Sequence, residues 1–66
     1  MDSKEFGAWL RDVLDARGIR YAFVAEKMGW SRQLMHAKLL GQSAWRIDEV
    51  SRVMAILDLP LDVLEQ

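Results

Sequence analysis

Residues 24–41 read VAEKMGWSRQLMHAKLLG, a pattern that predicts two short helices joined by a tight turn. Apolar residues recur in it at helical spacing before and after a glycine. These residues are Val24, Ala25, Met28, Met35 and Leu39. Gly29 ends the first short helix, begun near Tyr21, because glycine adopts the positive φ of a tight turn. Ser31 then caps a second helix, closed by Gly41, because its hydroxyl accepts from free N–H groups of the next turn.

A longer helix is predicted before this pair. Asp2 and Glu5 have the spacing of a capping box. The apolar residues that follow at helical spacing are Phe6, Trp9, Leu10, Val13 and Leu14. Gly18 is placed as a left-handed cap residue, with Ile19 as its hydrophobic contact.

A fourth helix is predicted to begin at Ile47. Its apolar pattern consists of Ile47, Val50, Val53, Met54 and Leu57. Asp48 and Glu49 lie in the first turn, where the helix dipole favours negative charge. Pro60 ends or restarts the chain, and residues 61–64 have the composition for one more helical turn. The sequence therefore predicts an all-α, compact bundle of four to five short helices.

Length and composition predict a single domain over residues 1–66. The chain is 52% hydrophobic and contains no cysteine, so a disulfide framework or a thiolate metal site cannot supplement its core. A domain this small has no room for a substrate cleft. The start, MDSKEFGAWL, lacks a basic leader followed by an apolar run, and no segment has the length of a membrane span. We expect a complete, soluble, cytoplasmic protein.

Charge is segregated along the chain. Residues 17–38 carry five Lys or Arg against Glu26 alone, a net charge of +4. The flanking segments 1–16 and 39–66 have net charges of −2 and −3. The overall charge of −1 argues against nonspecific polyanion binding, but the basic middle third is a candidate surface for a specific anionic partner.

The run from Val24 to Gly41 resembles the helix-turn-helix of phage Cro proteins and repressors, the lambda-repressor-like class. The resemblance covers nearly the whole chain, with the helix-turn-helix at about residues 21–40. It implies a sequence-specific double-stranded DNA-binding regulator, phage-encoded or phage-derived, that acts in the nucleoid-associated cytoplasm of a bacterial host. A Cro-like protein or small repressor fits the chain length better than a repressor with an effector domain.

The resemblance implies base contacts from the first turns of the second helix of the pair. They are assigned to Arg32, Gln33, Leu34 and His36. Arg pairs bidentately with guanine O6 and N7, Gln with adenine N6 and N7, and an apolar side chain contacts a thymine methyl. The alternative is that these residues form an ordinary solvated helix face.

Contacts to the DNA backbone are assigned to residues near the ends of the helices. They are Arg20, Tyr21, Ser31, Lys38, Trp45 and Arg46. The Trp45 indole N–H is a candidate donor to a phosphate. Three residues depart from the usual pattern: Arg20 replaces a polar cap, Tyr21 replaces a common Gln, and Lys38 stands where the class often has an apolar residue.

The remaining polar and aromatic residues have simpler interpretations. Trp9 is expected in the core, and Trp30 is expected to pack as a hydrophobic staple. His36 lacks the spacing of a metal site, so neither a metal nor any other cofactor is expected. The acidic residues near the C-terminus are expected to form a solvated side turned away from DNA. They are Asp48, Glu49, Asp58, Asp62 and Glu65.

The resemblance also implies a homodimer, because one recognition helix covers only a few base pairs. The candidate contact is a set of C-terminal apolar residues: Leu59, Leu61, Val63 and Leu64.

An alternative function is that of a protein-interaction module with the same fold, such as an antitoxin or a regulatory subunit. Its protein partner would contact the apolar residues Phe23, Leu34 and Leu40. An enzyme is not expected, since the sequence shows no paired base and nucleophile, no phosphate loop and no metal cluster.

Overall fold

Four α-helices contain most of residues 2–60, the residues that the computed structural model describes. The helices are α1 (Ser3–Arg17), α2 (Tyr21–Met28), α3 (Arg32–Leu39) and α4 (Ile47–Ile56). No strand occurs within residues 2–60, so the all-α prediction is confirmed for this part of the chain. The helical turn expected at residues 61–64 lies outside the described residues.

Local capping explains where the helices begin and end. The Asp2 carboxylate accepts the Glu5 N–H at 2.8 Å, and Ser31 Oγ accepts the Leu34 N–H at 3.1 Å. Gly18 and Gly29 follow α1 and α2 with φ values of 66° and 75°. These caps satisfy the backbone groups that a helix end leaves free, and each was expected from the sequence.

A single apolar core joins the four helices. It consists of Phe6, Leu10, Leu14, Val24, Ala25, Met28, Met35, Leu39, Val53, Met54 and Leu57. Trp9 and Trp30 are half-buried and pack against this core. α3 packs on α1 and α2, and α2 also packs on α4. The five apolar residues that recur at helical spacing in residues 24–41 are all buried, which confirms that part of the pattern.

Ile47 corrects the predicted pattern of α4, because its side chain is 88% exposed. It is the first residue of α4, whereas the buried residues Val53 and Met54 lie in the second half of the helix. Helical spacing gives the direction of a side chain but not whether a neighbouring element reaches it.

A close backbone approach fixes α1 against the end of α3. A Cβ on Gly7 would lie 2.5 Å from the carbonyl oxygen of Leu39 and 2.7 Å from that of Lys38. Only glycine permits so short a separation between the two helices. α1 therefore supports the C-terminal end of α3 and leaves its N-terminal half uncovered.

Candidate nucleic-acid interface

α3 has one buried side and one exposed side. Met35 and Leu39 are buried in the core, whereas Arg32, Gln33 and His36 are exposed. Leu34 is half-buried. Because Arg32 and His36 are four residues apart, they lie on the same face of the helix. Arg32, Gln33 and His36, three of the four residues assigned to base contact, are therefore accessible on one side of α3, whereas Leu34 lies away from Arg32 on the flank of the helix.

The exposed residues of α3 border concave surface. An open cavity of about 180 Å³ lies between α2 and α3. It is lined by Tyr21, Ala22, Ala25, Arg32, Met35 and His36. A shallower depression on the other side is lined by Arg32, Gln33, His36, Ala37 and Gln42. The side chains assigned to base contact thus lie beside space that can receive another molecule.

Most of the basic side chains of residues 17–38 are exposed to solvent. Arg17, Arg20, Lys27 and Arg32 are exposed, and the one carboxylate of this segment, Glu26, is exposed as well. Arg17 donates to the Leu57 carbonyl at 3.2 Å, which holds the end of α1 to the end of α4. Four exposed cations against one exposed carboxylate leave residues 17–38 with a net positive exposed charge, which favours an anionic partner.

Arg20 and Tyr21, at the start of α2, differ in whether their side chains are free to contact a phosphate. Arg20 is exposed at the N-cap position and makes no side-chain capping bond. Tyr21 Oη donates to Asp15 Oδ1 at 2.6 Å. This hydrogen bond is the main cause that raises the pKa of the Tyr21 hydroxyl above its usual value. The hydroxyl assigned to a phosphate is therefore already bound to a carboxylate.

Lys38 corrects the predicted set of phosphate contacts. Its side chain is only 6% exposed, and Nζ donates to Glu49 Oε1 at 2.7 Å and to the Ala44 carbonyl. The ammonium also lies 5.3 Å from the Trp30 ring centroid and 5.8 Å from that of Trp45. A buried ammonium that already has an ion-pair partner does not reach a phosphate. Lys38 lies with Met35 and Leu39 on the buried side of α3, and Glu49 provides the compensating charge.

Trp45 corrects a second expected phosphate contact. Its indole N–H donates to the Lys38 carbonyl at 2.9 Å, and its backbone N–H donates to Ser3 Oγ at 2.9 Å. The ring packs edge-on against Phe6 and Trp30, with centroid separations of 4.7 and 5.5 Å. Trp45 therefore joins the loop after α3 to α1, and its donor is used within the protein.

Glu49 belongs to this polar cluster instead of the expected solvated acidic side. Besides Lys38, its carboxylate accepts the Arg46 N–H at 2.9 Å. Burial acts to raise the pKa of Glu49, but the hydrogen bonds and charge of Lys38 and Arg46 outweigh burial and lower it. Arg46 itself remains exposed and makes only a 3.4 Å surface ion pair with Asp48, so it keeps its availability to a phosphate.

Sequence reasoning missed the contacts that join distant segments. The position of Lys38 beside Leu39, in the buried phase of α3, is a signal that it needs a partner, and Glu49 is an acidic residue near the start of the next helix. The Asp15–Tyr21 bond has no comparable signal, because it depends on the turn between α1 and α2.

Other observations bear on the kind of site that the chain contains. No group of three or more His, Cys, Asp or Glu side chains is placed to hold a metal ion within residues 2–60. In the same part of the chain, no helix has the length and apolar character needed to cross a membrane.

Comparisons with protein-family models, curated proteins and solved structures found no match to this chain.

Proposed function

We propose that this protein binds double-stranded DNA sequence-specifically and regulates transcription, with α2, the Gly29 turn and α3 as a lambda-repressor-like helix-turn-helix. The observation that carries the proposal is the exposed group Arg32, Gln33 and His36 at the capped end of α3. A helix of this kind enters the major groove by its N-terminal residues. The buried side of α3 and its contact with α1 leave that end free to do so.

The roles of the side chains follow from their chemistry. Arg32 pairs with guanine, Gln33 pairs with adenine, and each good bidentate pair contributes about 1–3 kcal/mol of discrimination against the wrong base. His36 and the half-buried Leu34 contact neighbouring base edges. Arg20 and Arg46, both exposed, contact phosphates and set the register of the helix on the duplex. Ser31 accepts the Leu34 N–H and retains its own hydroxyl hydrogen for a phosphate.

Regulation proceeds by occupation of operator DNA and involves no bond-making chemistry. We infer a homodimer, since two reading helices are needed to specify a site of useful length. Leu59 is half-buried and packs partly against its own core, which leaves part of its surface for a partner. Leu61, Val63 and Leu64, the other residues assigned to the dimer contact, lie outside the described residues.

Selection of duplexes from a random library tests the proposal. The wild-type protein is expected to enrich a defined sequence, and Arg32→Ala and Gln33→Ala are each expected to lose preference at particular base positions. Arg52→Ala, which removes an exposed arginine from α4, is the matched control and is expected to leave the selected sequence unchanged. Thermal unfolding of all four proteins checks that the folds are intact.

Salt dependence separates DNA binding from the second candidate, a protein-interaction module of the same fold. The second candidate is favoured by the exposed apolar side chains Phe23 and Leu40, which are 45% and 41% exposed. Duplex binding that uses several phosphate contacts weakens steeply as salt rises, whereas an apolar protein interface does not. Failure to enrich any duplex, or binding insensitive to salt, would exclude the DNA-binding proposal.

A further inference from the structure

We propose that Asp15 opposes DNA binding by holding the Tyr21 hydroxyl and by placing a negative charge at the edge of the DNA-facing surface. This inference rests on the function proposed above. It assigns to Asp15 the role of setting the affinity for any duplex, in contrast to the residues of α3, which set the preference among sequences.

The position of Tyr21 connects Asp15 to the candidate interface. Tyr21 borders the cavity between α2 and α3 together with Arg32 and His36. It also borders a second depression, shared with Asp15, Ile19 and Arg20. One side chain therefore lies between the carboxylate and the residues of α3. A duplex seated on Arg32 and His36 brings its backbone towards the start of α2, where Tyr21 and Arg20 lie.

The competition follows from the chemistry of a hydroxyl. Tyr21 Oη has one hydrogen, and it is donated to Asp15 at 2.6 Å, a short distance typical of a bond to a charged acceptor. A phosphate takes that hydrogen only if the bond to Asp15 breaks. The phosphate then also lies near the Asp15 carboxylate, and the two negative charges repel.

Asp15 is not needed for the helix that carries it. It lies in the last turn of α1, where the helix dipole disfavours a negative charge and favours a positive one such as Arg17. Among the described residues, Tyr21 is the one hydrogen-bond partner of its side chain. The carboxylate therefore acts on Tyr21 and on what approaches Tyr21.

The experiment compares wild type, Asp15→Ala, Tyr21→Phe and the double variant. Binding is measured by fluorescence anisotropy on the selected duplex and on a scrambled duplex of the same composition. Asp15→Ala is expected to tighten binding about fivefold on both duplexes, since phosphate contacts carry no sequence information. Tyr21→Phe alone is expected to change little, because its hydroxyl is already engaged. In the Asp15→Ala background, Tyr21→Phe is expected to remove part of the gain.

Two further variants separate the hydrogen bond from bulk charge. Asp12→Ala removes an exposed carboxylate one turn earlier on α1, which makes none of the described side-chain hydrogen bonds. It is expected to tighten binding less than Asp15→Ala. Asp15→Asn removes the charge but keeps an acceptor for Tyr21, and an intermediate gain is expected.

A spectroscopic titration tests the contact without DNA. Tyr21 is the one tyrosine of the chain, so the tyrosinate absorbance reports on it alone. The wild-type hydroxyl is expected to titrate above the usual pKa of 10.0, and Asp15→Ala is expected to lower that pKa. An unchanged titration means that the bond is absent in solution and overturns the inference.

The binding outcomes distinguish failure of this inference from failure of the proposed function. If wild type binds duplex in a salt-dependent way and Asp15→Ala leaves affinity unchanged or weakens it, Asp15 has no opposing role and the proposed function stands. An equal gain from Asp12→Ala also overturns the inference, because bulk charge then explains the effect. If no protein of the set binds duplex, the proposed function fails and this inference fails with it.

Discussion

At the scale of the residue, Gly7 controls how closely α1 approaches α3. Replacing it with Ala puts a methyl group 2.5 Å from the Leu39 carbonyl oxygen, so the helices must separate. We expect Gly7→Ala to lower the free energy of unfolding by about 1–3 kcal/mol, as overpacking does in a dense core. Urea unfolding followed by tryptophan fluorescence measures this change.

Gly18→Ala is the comparison for Gly7→Ala, because Gly18 has positive φ and open space where a Cβ would lie. Its cost, about 1 kcal/mol, comes from backbone conformation alone. Equal stability of Gly7→Ala and wild type would show that α1 and α3 are further apart in solution.

Single residues also show where sequence reasoning succeeds. Ser31 and Gly29 were predicted as cap and turn because their roles depend on the backbone of their own segment. The sequence around Gly7 does not indicate its role, because that role depends on a contact with Lys38 and Leu39 at the distant end of α3. A residue whose function is local is readable from its neighbours, and a residue whose function is a distant contact is not.

At the scale of the element, the Lys38–Glu49 ion pair joins α3 to the start of α4 and holds the intervening loop at Ala44 and Arg46. We expect Glu49→Ala to lower the free energy of unfolding by about 3 kcal/mol, the lower end for breaking a buried pair, because Glu49 keeps 15% exposure. The loss arises because Lys38 is left buried and unpaired. Urea unfolding again provides the measurement.

The double variant Lys38→Met/Glu49→Leu tests that explanation. Both charges are removed and apolar volume is retained, so we expect a stability closer to wild type than that of Glu49→Ala. If the changes in the free energy of unfolding caused by Lys38→Met alone and Glu49→Leu alone add up to that of the double variant, the two side chains do not interact.

Acid is expected to weaken the same link between α3 and α4. The pKa of Glu49 is lowered in the folded state from its usual 4.5, so the folded protein binds fewer protons there than the unfolded chain. The stabilisation is therefore fully present above about pH 4.5 and is lost as the pH falls through the folded-state pKa. Unfolding free energies between about pH 3 and pH 7 measure this loss.

Glu49→Gln is expected to show a weaker fall of stability in acid, because the amide does not titrate. Glu26→Gln, at an exposed carboxylate on α2, is the control and is expected to keep the wild-type dependence. The same acid dependence in Glu49→Gln as in wild type would assign the effect to other groups.

Among the elements, as among single residues, those that depend on local sequence are predicted correctly, and those that depend on distant contacts are not. The bounds of α2 and the capped start of α3 follow from apolar spacing and caps, and both were predicted. The loop after α3 is expected from the sequence to contact DNA through Trp45 and Arg46, but Trp45 is hydrogen-bonded within the protein, as is Lys38 near the end of α3. Periodicity does not reveal this, because the stabilising partners Ser3 and Glu49 come from other helices.

At the scale of the whole molecule, size limits how two copies fit on DNA. The Cα atoms extend 29 × 23 × 20 Å, and the proposed dimer would have to place its two α3 helices one helical turn of the duplex apart, about 34 Å. We expect the selected duplex to contain two inverted half-sites at that spacing and to bind two chains. Sedimentation of the complex gives the stoichiometry.

Insertion of about five base pairs between the half-sites turns them to opposite faces of the duplex. We expect the insertion to reduce affinity to that of a single half-site. Unchanged affinity, or one chain per selected duplex, would contradict the dimer.

The exposed side chains of α3 are separate from the buried core that holds the four helices together, so the two can change independently in evolution. The side chains of Arg32, Gln33 and His36 take part in no hydrogen bond or ion pair described for residues 2–60. Substitutions at such surface positions usually change stability by less than about 0.5 kcal/mol. Under the proposed function, new target preferences would therefore arise by single substitutions at these positions, with the folded scaffold kept and no compensating mutations elsewhere.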